Sequence, residues 1–148
     1  MQVRWVRMFI SVTRLRIRSW RFMPLFAVHT LRSLSQVKRA EGFKEGRLLP
    51  DRDFTFWTMT AWESQDAMRQ YMTTGAHKVA MPRLMRWCDE ASVTHWVQED
   101  DALPSWSDAD ARMRAEGRVS RVLHPSADHA DLRYREPRIT GGGPIRRA

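Results

Sequence analysis

A chain of 148 residues has room for one ordinary domain and a short appendage. Its 43% of hydrophobic residues, seven Trp and nine Met among them, exclude a wholly disordered chain. Cys88 is the only cysteine, which excludes an internal disulfide framework and a cysteine-based zinc cluster, and no run reaches the ~20 apolar residues of a membrane span. The run at residues 8–13 is too short and too early for an export signal, so the expected location is cytoplasmic.

The net charge of +8 is unevenly spread. Residues 1–52 carry 12 Lys or Arg against Glu41, Glu45 and Asp51, residues 53–98 carry 4 against 5 acids, and residues 99–148 carry 9 of each. A basic front half suits an anionic partner. Its arginines are scattered and form no compact run, however, so a solvated face is the simpler reading. Peripheral membrane contact is the lesser alternative.

Residues 9–15 place Ile10 and Val12 on one side and Ser11, Thr13 and Leu15 on the other, the period-2 pattern of a strand. A helix follows, with Ser19 as its cap and Pro24 near its first turn, and it runs to about Arg39 before Gly42 stops it. Phe22, Met23, Phe26, Ala27, Leu34 and Val37 share one side of that helix, with His29 at the edge, while Arg21, Arg32 and Arg39 share another. Residues 43–49 read as a second strand, and Pro50-Asp51-Arg52-Asp53 is turn chemistry before a third at 54–62. That third strand has large apolar groups on both faces: Phe54, Phe56, Thr58, Thr60 and Trp62 on one, Thr55, Trp57, Met59 and Ala61 on the other. An antiparallel sheet with one wet side does not need this, so something must cover the second face.

Ser64 caps a second helical segment carrying Ala67, Met68, Tyr71 and Met72. Thr74-Gly75 interrupts it, and helix resumes from Ala76 to about Asp89 with a shift of register expected around Pro82. His77, Ala80, Met81, Leu84, Trp87 and Cys88 share the inward face. Residues 92–98 form a fourth strand, alternating Val93, His95 and Val97 with Thr94 and Trp96. Strand, helix, strand, strand, helix, strand is the ferredoxin-like βαββαβ order. The expected fold is therefore α+β: a four-stranded antiparallel sheet over residues 8–98, with helices on one face and the other face buried by a second copy in a homodimer. An acidic linker and a short helix, capped by Ser107 with Asp110 and ended by Gly117, occupy residues 99–123, and residues 124–148 read as a mobile tail.

FWTMTAWESQDAMRQYMTTGAHKVAMPRLMRWCDEASVTHW, residues 56–96, resembles an uncharacterised bacterial family of the dimeric α/β-barrel superfamily. ISVTRLRIRSWRFMPLF, residues 10–26, is similar to that family's first strand and helix. The superfamily includes antibiotic-biosynthesis monooxygenases, and the family is similar to the spheroidene monooxygenase group, whose members are linked with haem. The resemblance implies an oxygenase-like protein acting on an apolar aromatic or polyene molecule, with haem as the one cofactor it suggests. The alternative is a non-catalytic homodimeric binding or structural protein.

Within that frame His77 is the sharpest site residue, as a catalytic group and haem-iron ligand, with His29 a second cofactor contact. Arg14, Arg16 and Arg18 are candidate propionate partners. Trp57, Trp62, Trp96 and His95 are the residues expected to line a substrate pocket. Each has a plainer reading: a core histidine bonded to backbone or to Thr74, and tryptophans that are only packing. Cys88 reads as an inert buried thiol. No Ser-His-Asp set, phosphate loop or dinucleotide fingerprint stands at diagnostic spacing, and the third strand lacks the basic-Gly-aromatic opening of RNA-binding relatives, so nucleic acid is not an expected partner.

Overall fold

The computed structural model describes residues 7–148. Period-2 segments form the strands β1 (Met8–Ile17), β2 (Phe43–Pro50), β3 (Thr55–Trp62) and β4 (Cys88–Gln98). They lie in the order β4-β1-β3-β2 with every pair antiparallel, as the βαββαβ order requires. Two short strands extend the sheet to six rather than the four expected: β5 (Arg118–Val119) beside β4 and β6 (Gly143–Arg146) beside β2.

The helices are α1 (Met23–Lys38), α2 (Gln65–Met72), α3 (Gly75–Trp87) and α4 (Trp106–Glu116). Ser19 caps a single 3-10 turn ahead of α1, and Pro24 sits in the first turn of α1, where its missing N–H costs nothing. Ser64 accepts a bond from the Ala67 amide at 3.1 Å to start α2. α3 runs unbroken past Pro82. The cap of α4 lies two residues earlier than the sequence suggests: Ser105 accepts from the Asp108 amide at 3.1 Å, while Asp110 instead accepts from the Tyr134 hydroxyl at 2.6 Å. Phe54 is also not a strand residue. Asp53 and Phe54 both have left-handed backbones, φ 56° and 58°, and the Thr55 amide bonds the Arg52 carbonyl at 3.1 Å, which makes a type I′ turn of the β2–β3 hairpin.

Register sorts the side chains into two faces. Ile10, Val12, Trp57, Met59, Ala61 and Trp96 point to one, and Phe9, Leu15, Phe56, Trp62 and His95 to the other. α1, α2 and α3 lie over the second face. The first face was expected to meet a second copy. It is covered instead by the chain's own α4, whose Trp106, Ala109 and Met113, spaced as one stripe of a helix, are buried against Ile10, Trp57, Met59 and Trp96. Leu103, Leu132 and Tyr134 complete that cover, so the physical ground for pairing through this face is gone. Residues 124–148 meet the sheet at several points. Their own apolar content is small, but Tyr134 packs on Trp57, β6 hydrogen-bonds the edge of β2, and Ile145 is buried.

If α4 is part of the core, Trp106→Ala should cost ~3–5 kcal/mol in urea denaturation, the range of a large aromatic removed from a packed interior, whereas a loosely docked appendage would lose under ~1 kcal/mol.

Candidate functional site

The two faces of the sheet are not equally closed. On the α4 side Thr55, Trp57, Met59 and Ala61 of β3 are all buried, whereas on the helix side Phe56, Thr58 and Thr60 are only half-buried. The apolar packing there is split into two clusters. One gathers Phe9, Phe43 and Trp62 beneath Val37 of α1 and Met68 of α2. The other gathers Ile17, Leu15 and Phe56 beneath Phe26 of α1 and Trp87 of α3.

Between them the strand register lays down two polar rows. Ser11 pairs with His95 on one side and Thr60 on the other, and Thr13 pairs with Val93 and Thr58. Cross-strand neighbours on one face stand ~5 Å apart at Cβ, so four hydroxyls and one imidazole form a continuous strip across the sheet centre. Of these, Thr13, Thr58, Thr60 and His95 are half-buried, so solvent reaches the middle of the helix side. The inward side of α1 changes character at the same level: Phe26 and Val37 are buried at its ends, and His29 with half-buried Ser33 lies between them.

His95 stands beside Phe9, ring centroids 5.4 Å apart, and its Nε2 is buried without a hydrogen-bond partner. Burial, then the cations Arg118 and Arg69, hold its pKa below the ordinary histidine value. His29 lies against Trp87 at 5.4 Å, its Nδ1 buried and unpartnered, and burial followed by Arg83 and Arg32 lowers its pKa too. His77 lies tilted against Tyr71, ring centroids 4.8 Å apart, and its Nδ1 sits 3.1 Å from the Met72 carbonyl, so Nδ1–H donates and Nε2 is the nitrogen left over. Burial lowers its pKa against the opposing pull of that carbonyl. Its backbone amide is held by the Gln36 side chain at 2.9 Å.

The tryptophans expected in one pocket are divided. Trp62 is on the helix side, donating from Nε1 to the Thr60 hydroxyl at 2.9 Å and lying 5.3 Å from the Tyr71 ring. Trp57 and Trp96 are on the opposite face under α4, where Trp57 donates to Asp51 at 3.2 Å. A groove of about 370 Å³ runs from Trp96 along α4. In its wall Trp96 donates to Gln98, the Gln98 amide is spent on the Asp100 and Ala102 carbonyls, and Arg112 lies over the Trp96 ring and pairs with Glu116. Burial pushes the Cys88 thiol up to about 12, which leaves it an unreactive core residue.

The residues do not fit haem. Arg14 and Arg16 were its expected propionate partners, yet both turn to the α4 side of β1, away from His77. Arg14 donates to Glu90 at 2.8 Å with both side chains under a tenth exposed, and Arg16 grips Asp89 through two bonds of 2.9 and 2.8 Å. Arg18 donates to the Arg86 carbonyl and covers the Phe22 ring. No group of three or more metal-ligating side chains gathers around His77 or elsewhere among the described residues. The Arg14–Glu90 pair borders instead a void of about 10 Å³, where Arg14 Nε and Ser92 Oγ lack protein partners, and that is room for one water.

Residues 33–119 match the family described as Domain of unknown function (DUF3291), a span of more than half the chain. The chain belongs to that family. The DUF3291 span begins within α1 and ends at β5, so α4 falls inside the family's domain and is no attachment to it. No curated protein matches the sequence. Among solved structures, a putative antibiotic biosynthesis monooxygenase from Nitrosomonas europaea superposes with a TM-score of 0.55 at 12% identity, covering 68% of this chain and 96% of that one. Rv0793 from Mycobacterium tuberculosis gives 0.57 at 12%, covering 65% and 99%. A mutant of SnoaB, a cofactor-independent oxygenase from Streptomyces nogalater, gives 0.50 at 17%, covering 65% and 95%. At such identities the likeness is one of fold, the α+β fold with an antiparallel sheet.

Two outcomes test this geometry. A histidine held below its ordinary value of 6.5 binds fewer protons folded than unfolded, so its stabilising contribution is complete above that pH and is lost as pH falls toward the folded value. The melting temperature should therefore drop as pH goes from about 7.5 to about 5, and His29→Gln should flatten the drop. Separately, Glu90→Leu strands the Arg14 charge and should cost ~3–5 kcal/mol in urea denaturation, while the double substitution Arg14→Met with Glu90→Leu should recover most of it.

Proposed function

We propose that this DUF3291 protein is oxygenase-like and takes an apolar aromatic or polyene molecule between the α1–α3 layer and the polar strip of the sheet. The observation that carries this reading is the polar strip Ser11, Thr13, Thr58, Thr60 and His95 lying between two aromatic clusters. A flat apolar ligand gains burial at both ends and hydrogen bonds at its middle, the pattern of small-molecule sites. The fold shared with a cofactor-independent oxygenase supports the same reading.

In this site the threonine hydroxyls orient a phenolic or enolic oxygen of the ligand. His95, kept neutral by burial, is the base that takes its proton, which leaves an electron-rich anion able to react with dioxygen. His77 is a positioning residue: Met72 and Gln36 fix its ring and backbone beside Tyr71, next to Trp62. His29 lies against Trp87. Trp62 backs the strip from within the Phe9–Phe43 cluster and holds the Thr60 hydroxyl, and Trp57 and Trp96 have no part in the reaction. No step is assigned to haem. No helix of the described residues is long and apolar enough to cross a membrane, and the reading places the protein in the cytoplasm.

Oxygen uptake with a panel of fused-ring phenols and polyenes tests the proposal. Turnover should fall at least ~100-fold in His95→Gln, the size of a lost general base, and affinity should weaken in Thr58→Val. A ligand that binds without oxygen uptake would make the protein a binding module, and uptake unchanged by both substitutions would remove the strip from the mechanism.

A further inference from the structure

The outward side of the helix layer carries an unusual mixture. Trp20 is 70% exposed and Leu31 is 68% exposed, and Leu25, Val28 and Val79 are exposed with them. At 100° per residue Leu25, Val28 and Leu31 fall on the half of α1 turned away from Phe26 and Val37, and Val79 is exposed on α3, which packs beside α1. Between and around them stand Arg21, Arg32 and Arg39 of the α1 region and Lys78, Arg83 and Arg86 of α3, all exposed. None of the six lies in an ion pair among the described residues. The reason lies in the sequence, since no Asp or Glu precedes Glu41 and none occurs from residue 67 to residue 88. The carboxylates nearest in sequence to α3 are Asp66 on α2 and Asp89, and Asp89 is committed to Arg16.

From this face we infer a docking surface for an anionic lipid bilayer. A second copy of the chain is disfavoured, because two such faces would bring like charges together. Nucleic acid would neutralise the cations but leave Leu25, Val28 and Leu31 in water. A lipid surface satisfies both: phosphate headgroups meet the arginines and lysines, and the aliphatic side chains with Trp20 enter the headgroup boundary, where an amphipathic indole sits well. The inference does not rest on the oxygenase reading, since none of these residues belongs to the polar strip.

The full-length protein should sediment with vesicles of phosphatidylglycerol and phosphatidylcholine at low salt, and at least ~10-fold less with phosphatidylcholine alone or at high salt. Val28→Glu with Leu31→Glu, both exposed and so tolerated by the fold, should weaken binding at least ~10-fold, and Arg32→Gln with Arg83→Gln should weaken it while lowering the salt dependence. No sedimentation with the anionic vesicles overturns the inference. So does binding that the two glutamates leave unchanged, or tighter binding to single-stranded RNA than to the vesicles, which would assign the face to a polyanion. Oxygen uptake by the same preparations is an independent readout, so loss of one activity does not imply loss of the other.

Discussion

β3 places Trp57 on one side of the sheet and Trp62 on the other, and burying both is the constraint around which the molecule is arranged. A single helical layer serves one side only. The chain meets the demand by continuing past β4 into α4 and laying Trp106, Ala109 and Met113 over Trp57 and its neighbours. Once that side is sealed in cis, the helix side is left to carry function, and it is there that the packing parts into two clusters with hydroxyls between them.

Charge fixes what apolar contact cannot. Arg14 and Arg16 leave β1 on the α4 side and clamp Asp89 and Glu90 at the start of β4, and Ser126 donates to the second oxygen of Glu90 at 2.7 Å. His129 then accepts from the Ala91 amide and donates to the Ser120 carbonyl, which sets its tautomer. A buried ion pair adds little net stability, but it tolerates few alternative arrangements, and here it fixes where α3 must stop and where the last segment must lie.

Much of this was legible beforehand. Alternation in residues 9–15 and 54–62 is strong enough to give β1 and β3 and, Phe54 of the turn apart, the side each residue occupies, and the helix pattern gives α1 to α3. The same alternation already separated Trp57 from Trp62 and His95 from Trp96, so a pocket holding all four conflicted with its own premises. The reach of α4 and the docking of Tyr134 and Ile145 were hidden because those contacts join distant parts of the chain and each rests on one or two residues. The strip was half visible: Ser11, Thr13, Thr58 and Thr60 are small hydroxyl residues at the centres of two strands, but nothing in one sequence says that the helices leave Thr13, Thr58 and Thr60 only half-buried. The propionate roles failed for Arg14 and Arg16 because Glu90 and Asp89, 76 and 73 residues away, claim them.

The order of synthesis gives the α4 cover a further meaning. β1 emerges first, yet its partners β3 and β4 lie some 40 to 90 residues later, so the sheet waits for most of the domain before it closes. Even then the Trp57 side stays open until residues 106–116 leave the ribosome. For that interval the nascent chain presents Trp57, Met59 and Trp96 together on a flat sheet, the kind of surface that holdase chaperones grip and that sticks to its own kind when crowded. Production of this protein is thus governed by its last third, and a polysome stalled ahead of α4 would display an unfinished sheet.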